Sequence, residues 1–324
     1  MRTAQFITFN GMGKSRLFLL TVFFLLTGTM SIHAADYYGF KICDVKVTSD
    51  NYKKINSSNF PGVSGTVSYD PDSKTLTLNN VTISAPSGKS AVQNESRGGL
   101  LIKCIGTNSI TSTGASAIRH DYKGSMAIEV ASGTTTINGG KEGIWIVNNK
   151  DYYFGILGSG TLNINSNNNY PAISGDSDGS RLVFEGQIKA NIYGKRSALY
   201  KLHVDFAKSS ENEENGYEVT LKATGDSSYP VVRNCEMVTP TYVGDYMDTD
   251  PYPTKYPAIL SPWGTQYDKS SKSFVNSSGT KIYDQNILVS NNYKALINEK
   301  FFPDANFRST SRASTARSTS QRVT

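Results

Sequence analysis

Cysteine, tryptophan and histidine are scarce in this 324-residue chain, which carries three, two and three of them. Three cysteines, Cys43, Cys104 and Cys235, are too few and too scattered for a disulfide framework, although an oxidising compartment leaves room for one bridge. Cys104 sits at an alternate position of Leu101-Ile-Lys-Cys-Ile105, where an inward-facing small hydrophobe is expected. No C-x-x-C or H-x-x-x-H spacing occurs, so the histidines and cysteines offer no metal-ligand set. Charged residues reach only 19%, below the roughly 25% of an average soluble protein. The apolar runs all fall short of the ~20 residues that a membrane helix needs. Coiled coil, collagen and multi-span membrane protein are excluded on these grounds. A basic body is missing too. The formal charge is +6, but Arg2, Lys14 and Arg16 at one end and Arg308, Arg312, Arg317 and Arg322 at the other leave residues 36–307 at −1. Nucleic acid is therefore not an expected partner.

What fills the gap is 19 Tyr, 28 Gly and an excess of Ser, Thr and Asn, a mixture that favours short strands and many turns. The N-terminus has the form of an export signal over residues 1–35. Lys14 and Arg16 precede the apolar run Leu17 to Met30, and Ala34 and Ala35 supply small residues for cleavage. The protein is expected to be exported, to the cell surface, the medium or the periplasm, with no transmembrane segment left after cleavage.

Small-then-apolar pairs recur along the body: Ala91-Val92, Ala117-Ile118, Gly143-Ile144, Ala172-Ile173 and Ala198-Leu199, separated by 26, 26, 29 and 26 residues. The first four are each followed by a short apolar strand about ten residues on: Leu100-Leu-Ile102, Met126-Ala-Ile128, Phe154-Gly-Ile156 and Leu182-Val-Phe184. A further apolar position follows near +20, at Ile110, Ile137, Ile164 and Ile192. Three strands of 3–5 residues cannot bury a core alone, but a helix-free unit of this length fits one coil of a solenoid. The predicted fold is all-β: a right-handed parallel β-helix of about 26-residue coils, with an N-terminal cap and an irregular C-terminal region. An antiparallel sandwich would not make equivalent positions recur at a fixed period.

The expected organisation follows. A cap over residues 36–66 covers the open end of the solenoid. Coils occupy 67–207, opening with Val67-Ser-Tyr-Asp-Pro and the period-two run Thr75 to Ile83. Residues 208–290 hold the terminal coils and a long loop rich in Tyr and Pro. Residues 308–324, almost wholly Ser, Thr, Arg and Ala, cannot bury apolar surface and read as a disordered tail.

Val67-Ser-Tyr-Asp-Pro, Thr75-Leu-Thr-Leu-Asn-Asn-Val-Thr-Ile83, Leu101-x-Ile with Gly106-x-Asn-x-Ile110, Ala117-Ile118 and Gly158-Ser-Gly-Thr-Leu-Asn-Ile164 together resemble secreted right-handed parallel β-helix proteins of Gram-negative bacteria. The likeness spans roughly residues 37–290. More distantly the chain is similar to a carbohydrate-binding β-helix family with an L-N-x-V-x-I…A-I…L-x-I pattern. Separately, Ile297-Asn-Glu-Lys-Phe-Phe-Pro-Asp-Ala-Asn-Phe-Arg308, within residues 291–307 and just beyond, resembles the opening of bacterial surface leucine-rich repeat modules. No leucine follows Leu296, so the expectation is a stub of a second module whose reading frame is lost near Arg308.

Chemistry on β-helices is best known from pectate lyases and polygalacturonases. The hydrolase motifs N-T-D, D-D, G-H-G and R-I-K are absent here. Lyase-type Ca²⁺ ligation would fall to Asp176 and Asp178, or to Asp245, Asp248 and Asp250, the only acidic clusters near that pattern. His120 shares its coil with Arg119 and Asp121, a trio that suggests catalysis, but a solvated turn explains it as well. Binding has better support. In each coil the residue after the inward apolar position points outward, which places Gln93, Arg119, Trp145, Ser174 and Tyr200 in one row of exposed side chains. Aromatic faces can stack on sugar C–H groups while polar neighbours bond hydroxyls. Tyr242, Tyr246, Tyr252, Tyr256 and Trp263 form a second candidate surface, or a lid over the end of the stack. The expected function is an exported, non-enzymatic module that binds a polysaccharide or host glycan at the cell surface. A structural or adhesive spacer for a leucine-rich repeat module, and a Ca²⁺-dependent polysaccharide lyase, are the alternatives.

Overall fold

The computed structural model describes residues 34–96, 98–121, 124–147, 152–177, 179–206, 216–225, 228–237, 258–262 and 264–290. The segment expected to be an export signal, the Tyr- and Pro-rich segment with Tyr242, Tyr246, Tyr252, Tyr256 and Trp263, the residues Asp178, Asp245, Asp248 and Asp250, and the segments 291–307 and 308–324 lie outside them, apart from Ala34 and Ala35. Among the described residues no helix is long and apolar enough to cross a membrane.

The chain is a right-handed parallel β-solenoid with about 27 residues per coil. Three antiparallel strands come first: β1 (Tyr37–Ile42), β2 (Val45–Thr48) and β3 (Val63–Asp70). The first coil holds β4 (Thr75–Ala85) and β5 (Val92–Asn94). Full three-strand coils follow: β6 (Leu100–Ile105), β7 (Thr107–Ser112) and β8 (Ile118–His120), then β9 (Met126–Val130), β10 (Thr134–Gly139) and β11 (Ile144–Ile146). The next is β12 (Phe154–Gly158), β13 (Thr161–Ser166) and β14 (Ile173–Gly175), followed by β15 (Arg181–Phe184), β16 (Lys189–Gly194) and β17 (Leu199–Tyr200). The last is β18 (His203–Phe206), β19 (Glu218–Ala223) and β20 (Val232–Arg233). After β21 (Glu236–Met237) the described chain resumes with β22 (Ala258–Ser261), β23 (Gln266–Asp268), β24 (Ser273–Val275) and β25 (Ile287–Ser290).

Each coil places its strands on three faces. The first face stacks β6, β9, β12, β15, β18 and β21 in parallel, the second β7, β10, β13, β16 and β19, and the third β5, β8, β11, β14, β17 and β20. β4 serves two faces at once: Thr75–Asn79 pair with β6, and Thr82–Ala85 pair with β7. The bend falls at Asn80, in the left-handed region with φ 53°. Its Oδ1 accepts the Thr107 N–H at 2.9 Å. The same corner is turned by Gly106 (φ 71°) and Gly133 (φ 74°) in the coils above. A Cβ on Gly133 would lie 2.3 Å from the Gly106 carbonyl oxygen, so only glycine lets the stacked corners touch.

Alternation does the rest. Side chains on a strand point to opposite faces, so every second residue enters the interior. On the second face Ile83, Ile110, Ile137, Ile164 and Ile192 stand in register and are fully buried. On the third, Val92, Ile118, Ile144, Ile173 and Leu199 do the same. Burying each such side chain is worth about 1.5–3 kcal/mol, and stacking makes every coil the lid of the one before.

The exterior of the second face is ruled with amides and hydroxyls. Asn191 Nδ2 donates to Asn163 Oδ1 at 2.8 Å, and Asn165 Nδ2 to Asn138 Oδ1 at 2.9 Å. Asn163→Ala is therefore expected to cost about 1 kcal/mol, by removing the partner of Asn191. Chemical denaturation would measure it, and an unchanged midpoint would mean that the ladder contributes nothing.

Both ends are closed by antiparallel strands. β1 pairs with β5 and with β2, while β3 runs antiparallel to β4. The parallel stack thus opens at Thr75, and Val67, expected to begin it, lies in β3 against Leu78. At the other end β25 pairs antiparallel with β19, and β22 with β25. Val231 N–H donates to the Ile282 carbonyl at 2.9 Å and Ser273 Oγ to the Val232 carbonyl at 2.6 Å, which seats the β23–β24 hairpin against β20. The strands expected at 258–260, 273–275 and 287–290 exist, but as closing strands rather than further coils. Reversing direction blocks further parallel addition at an edge whose N–H and C=O groups would otherwise stay open.

Candidate functional site

The third face brings the sequence-predicted row together. Gln93 is aligned with Arg119, Arg119 with Trp145, Trp145 with Ser174, and Ser174 with Tyr200. Coils are about 4.8 Å apart, so the five side chains make a continuous file. Structure extends it at both ends: Lys41 of β1 stands opposite Gln93, and Arg233 of β20 follows Tyr200. The chain turns outward at these positions because their neighbours, Val92 and Asn94, Ile144 and Ile146, are buried.

The row differs from its expected form in exposure. Trp145 and Tyr200 are half-buried and Ser174 is buried. Cations lie over both rings. Arg119 Cζ lies 5.1 Å from the Trp145 ring centroid and Arg233 Cζ 4.0 Å from that of Tyr200. Among the described residues Trp145 Nε1 has no hydrogen-bond acceptor although it is shielded from solvent.

At the N-terminal end of the file the cations hold carboxylates. Arg119 pairs with Asp121 at 2.5 Å, and Gln93 Nε2 donates to the same carboxylate at 2.6 Å. Lys41 pairs with Glu95 at 2.7 Å, and Tyr37 Oη donates to Glu95 as well. Those two donors hold the Glu95 carboxyl below its ordinary range, against the opposing effect of its burial.

A second column runs along the corner before the third face, four residues ahead of the first. It contains Lys89, Lys141, Tyr170, Arg196 and Tyr229. Here too cations meet rings: Lys141 Nζ is 5.9 Å from the Tyr170 centroid and Arg196 Cζ 4.2 Å from that of Tyr229. Sequence reading missed Tyr229 and Arg233. Their coil is lengthened by residues 207–215, so Val232 follows Leu199 by 33 residues and the period no longer points to it. The surviving signal was the apolar pair Val231-Val232, with Tyr229 and Arg233 at the offsets that Arg196 and Tyr200 occupy around Ala198-Leu199.

The other candidates separate. His120 is no part of a solvated turn: it is fully buried, its Nδ1 meeting Asn94 Nδ2 at 3.1 Å and its Nε2 the Gly124 carbonyl at 2.5 Å. An inward position in β8 put it there, by the same alternation that places Ile146 in the next coil. Asp176 accepts a hydrogen bond from Ser180 Oγ at 3.1 Å. Among the described residues no three His, Cys, Asp or Glu side chains gather as a metal site. Gly175-Asp176-Ser177-Asp178-Gly179 has the G-x-S-x-G spacing of a hydrolase nucleophile elbow, but it leads from β14 to strand β15 and not into a helix, so the strained strand–turn–helix context is missing. No disulfide joins Cys43, Cys104 and Cys235, which are all buried. Burial pushes the Cys43 and Cys104 thiols up to about 11, far from a reactive thiolate.

Compared with protein-family models, curated proteins and solved structures, the chain gives no match in any of the three. The parallel β-solenoid itself is the architecture that carbohydrate-binding β-helices use.

Proposed function

We propose that this is an exported, non-enzymatic module that binds a polysaccharide or glycan along the third face of its solenoid. The observation that carries the reading is the in-register file Gln93, Arg119, Trp145, Ser174 and Tyr200. A polymer laid along the solenoid axis meets a repeating set of ring edges, amides and guanidinium groups, which suits a ligand that itself repeats. Export rests on the basic and apolar N-terminal segment with Ala34 and Ala35.

Affinity electrophoresis through gels loaded with different polysaccharides, with and without Ca²⁺, tests the reading. Retardation by at least one polymer is expected. The double variant Trp145→Ala/Tyr200→Ala is expected to weaken it roughly 5- to 150-fold, since each ring contributes about 0.5–1.5 kcal/mol of stacking. No retardation by any polymer would leave the spacer role, with a leucine-rich repeat neighbour, as the surviving reading. New ultraviolet absorbance from uronate polymers in Ca²⁺ would instead identify a lyase.

A further inference from the structure

The C-terminal end of the third face carries a checkerboard of cations and aromatic rings. Arg196 stands in the turn before β17, and Tyr229 in the equivalent turn one coil later, before β20. Tyr200 and Arg233 are aligned partners on those two strands. The Arg233 guanidinium lies 4.0 Å from the Tyr200 centroid and 5.2 Å from that of Tyr229, which Arg196 approaches from the other side of the square at 4.2 Å. Lys201 Nζ lies 5.7 Å from the ring of its neighbour Tyr200, and Lys141 lies 5.9 Å from the Tyr170 ring of the next coil, in the position that Arg196 takes over Tyr229.

These four cations share a second property. Among the described residues, Lys141, Arg196, Lys201 and Arg233 have no carboxylate partner, whereas Lys41, Lys89 and Arg119 at the other end of the same face pair with Glu95, Asp44 and Asp121. The Nε atoms of Arg196 and Arg233 are shielded from solvent and lack an acceptor. Positive charge is thus compensated at the N-terminal end and left open at the C-terminal end.

We infer that the square formed by Arg196, Tyr200, Tyr229 and Arg233, with Lys141 and Lys201 beside it, is a subsite for the anionic groups of an acidic polysaccharide. The inference rests on the glycan-binding reading and names the class of glycan. A guanidinium lying on a ring is held in place by the ring's negative face while its terminal Nη–H groups can still meet a ligand. Carboxylate and sulfate oxygens match that planar fork two at a time. Pre-positioning by Tyr200 and Tyr229 removes part of the side-chain ordering that binding otherwise costs. Mutual repulsion is relieved as well. Arg233 titrates below its ordinary value because burial and the neighbouring Arg196 both oppose its charge, and an anion between the two cancels that opposition.

Affinity electrophoresis of the whole chain is run against polygalacturonate, dextran sulfate and a panel of neutral polymers that includes unmodified dextran, at 20 and 200 mM NaCl. Retardation by polygalacturonate, dextran sulfate or both is expected, falling at the higher salt, and which of the two acts tells carboxylate from sulfate recognition. Arg196→Gln/Arg233→Gln is expected to weaken it at least tenfold. Lys53→Gln/Lys54→Gln, which removes the same charge from the exposed turn after β2, is expected to leave it unchanged. Equal weakening by both double variants would overturn the subsite in favour of net charge alone. Retardation by a neutral polymer but by neither acidic one would also overturn it and leave the glycan-binding reading standing. Failure of every polymer would remove both. A matching thermal midpoint for wild type and the arginine variant ties any loss to binding and not to folding.

Discussion

Ile137→Asp is expected to unfold the solenoid, whereas Ile137→Val is expected to cost only about 0.5–1.5 kcal/mol. Ile137 is fully buried in the middle of its column, aligned with Ile110 on one side and Ile164 on the other. A carboxylate placed there would be either ionised without a partner or protonated against its ordinary pKa, and its short side chain would leave a gap besides. Penalties of that kind exceed about 4–5 kcal/mol, against a total stability on the order of 5–15 kcal/mol. Repeat architecture makes the damage worse. Each coil is stabilised by its two neighbours, so a broken interface in the middle strips a neighbour from the coils on both sides. Far-ultraviolet circular dichroism and gel filtration would read the outcome. An Asp variant that stays folded and melts within about 1 kcal/mol of the Val variant would show that this column does not carry the stack.

The repeat made most of the fold readable. Ala91-Val92 through Ala198-Leu199 fixed the third face because each pair occupies the same buried corner-to-strand step in every coil. The corner between the other two faces, turned at positive φ by Asn80, Gly106 and Gly133, was not read from the sequence, because Gly and Asn recur in so many turns of this chain. What the period could not show was direction of pairing at the ends. β25 is a short apolar run buried at all four positions and β3 alternates only in part, and nothing in such a strand distinguishes a parallel neighbour from an antiparallel one. The row of outward residues was legible for the same reason as the core, being its complement. Its covering was not. Arg119 and Arg233, which lie over Trp145 and Tyr200 from one coil away, are 26 residues off for the first and 33 for the second, where the period is broken. His120 was misjudged because polar residues are expected outside; only its inward register, next to Ile118, argued otherwise.

That buried histidine should give the protein a stability that falls as pH drops below about 6.5. Asn94 and His120 are both fully buried and aligned on β5 and β8. Asn94 Oδ1 accepts the Ser96 N–H at 3.1 Å, which turns Nδ2 toward His120 Nδ1. Nδ1 therefore accepts and Nε2–H donates to Gly124, a neutral ring with both nitrogens used. A proton on Nδ1 would face the Asn94 amide hydrogens, and the charge would sit against the Phe154 ring edge and the apolar interior. Burial holds His120 below its ordinary value of 6.5, and the Gly124 bond and the nearby Asp121 offset that only in part. Above 6.5 the ring is neutral in both folded and unfolded chains and contributes no pH dependence. Below it the unfolded chain takes up a proton that the folded one refuses, so stability falls at up to about 1.4 kcal/mol per pH unit until the folded ring also titrates. Carboxylates held low by their partners, Glu95 and Glu236 among them, add their own loss only below about 4.5. The interval from 6.5 to 4.5 thus lies above the losses from those carboxylates, and comparison with a His120 variant separates this ring from His203, which stands beside Glu236. Urea denaturation across it should show a slope in the wild type that His120→Gln lacks, at a cost of about 1–3 kcal/mol at neutral pH for the disturbed buried hydrogen bonds. Parallel slopes in the two proteins would mean that His120 is protonated inside the fold and that the Asn94 amide is turned the other way.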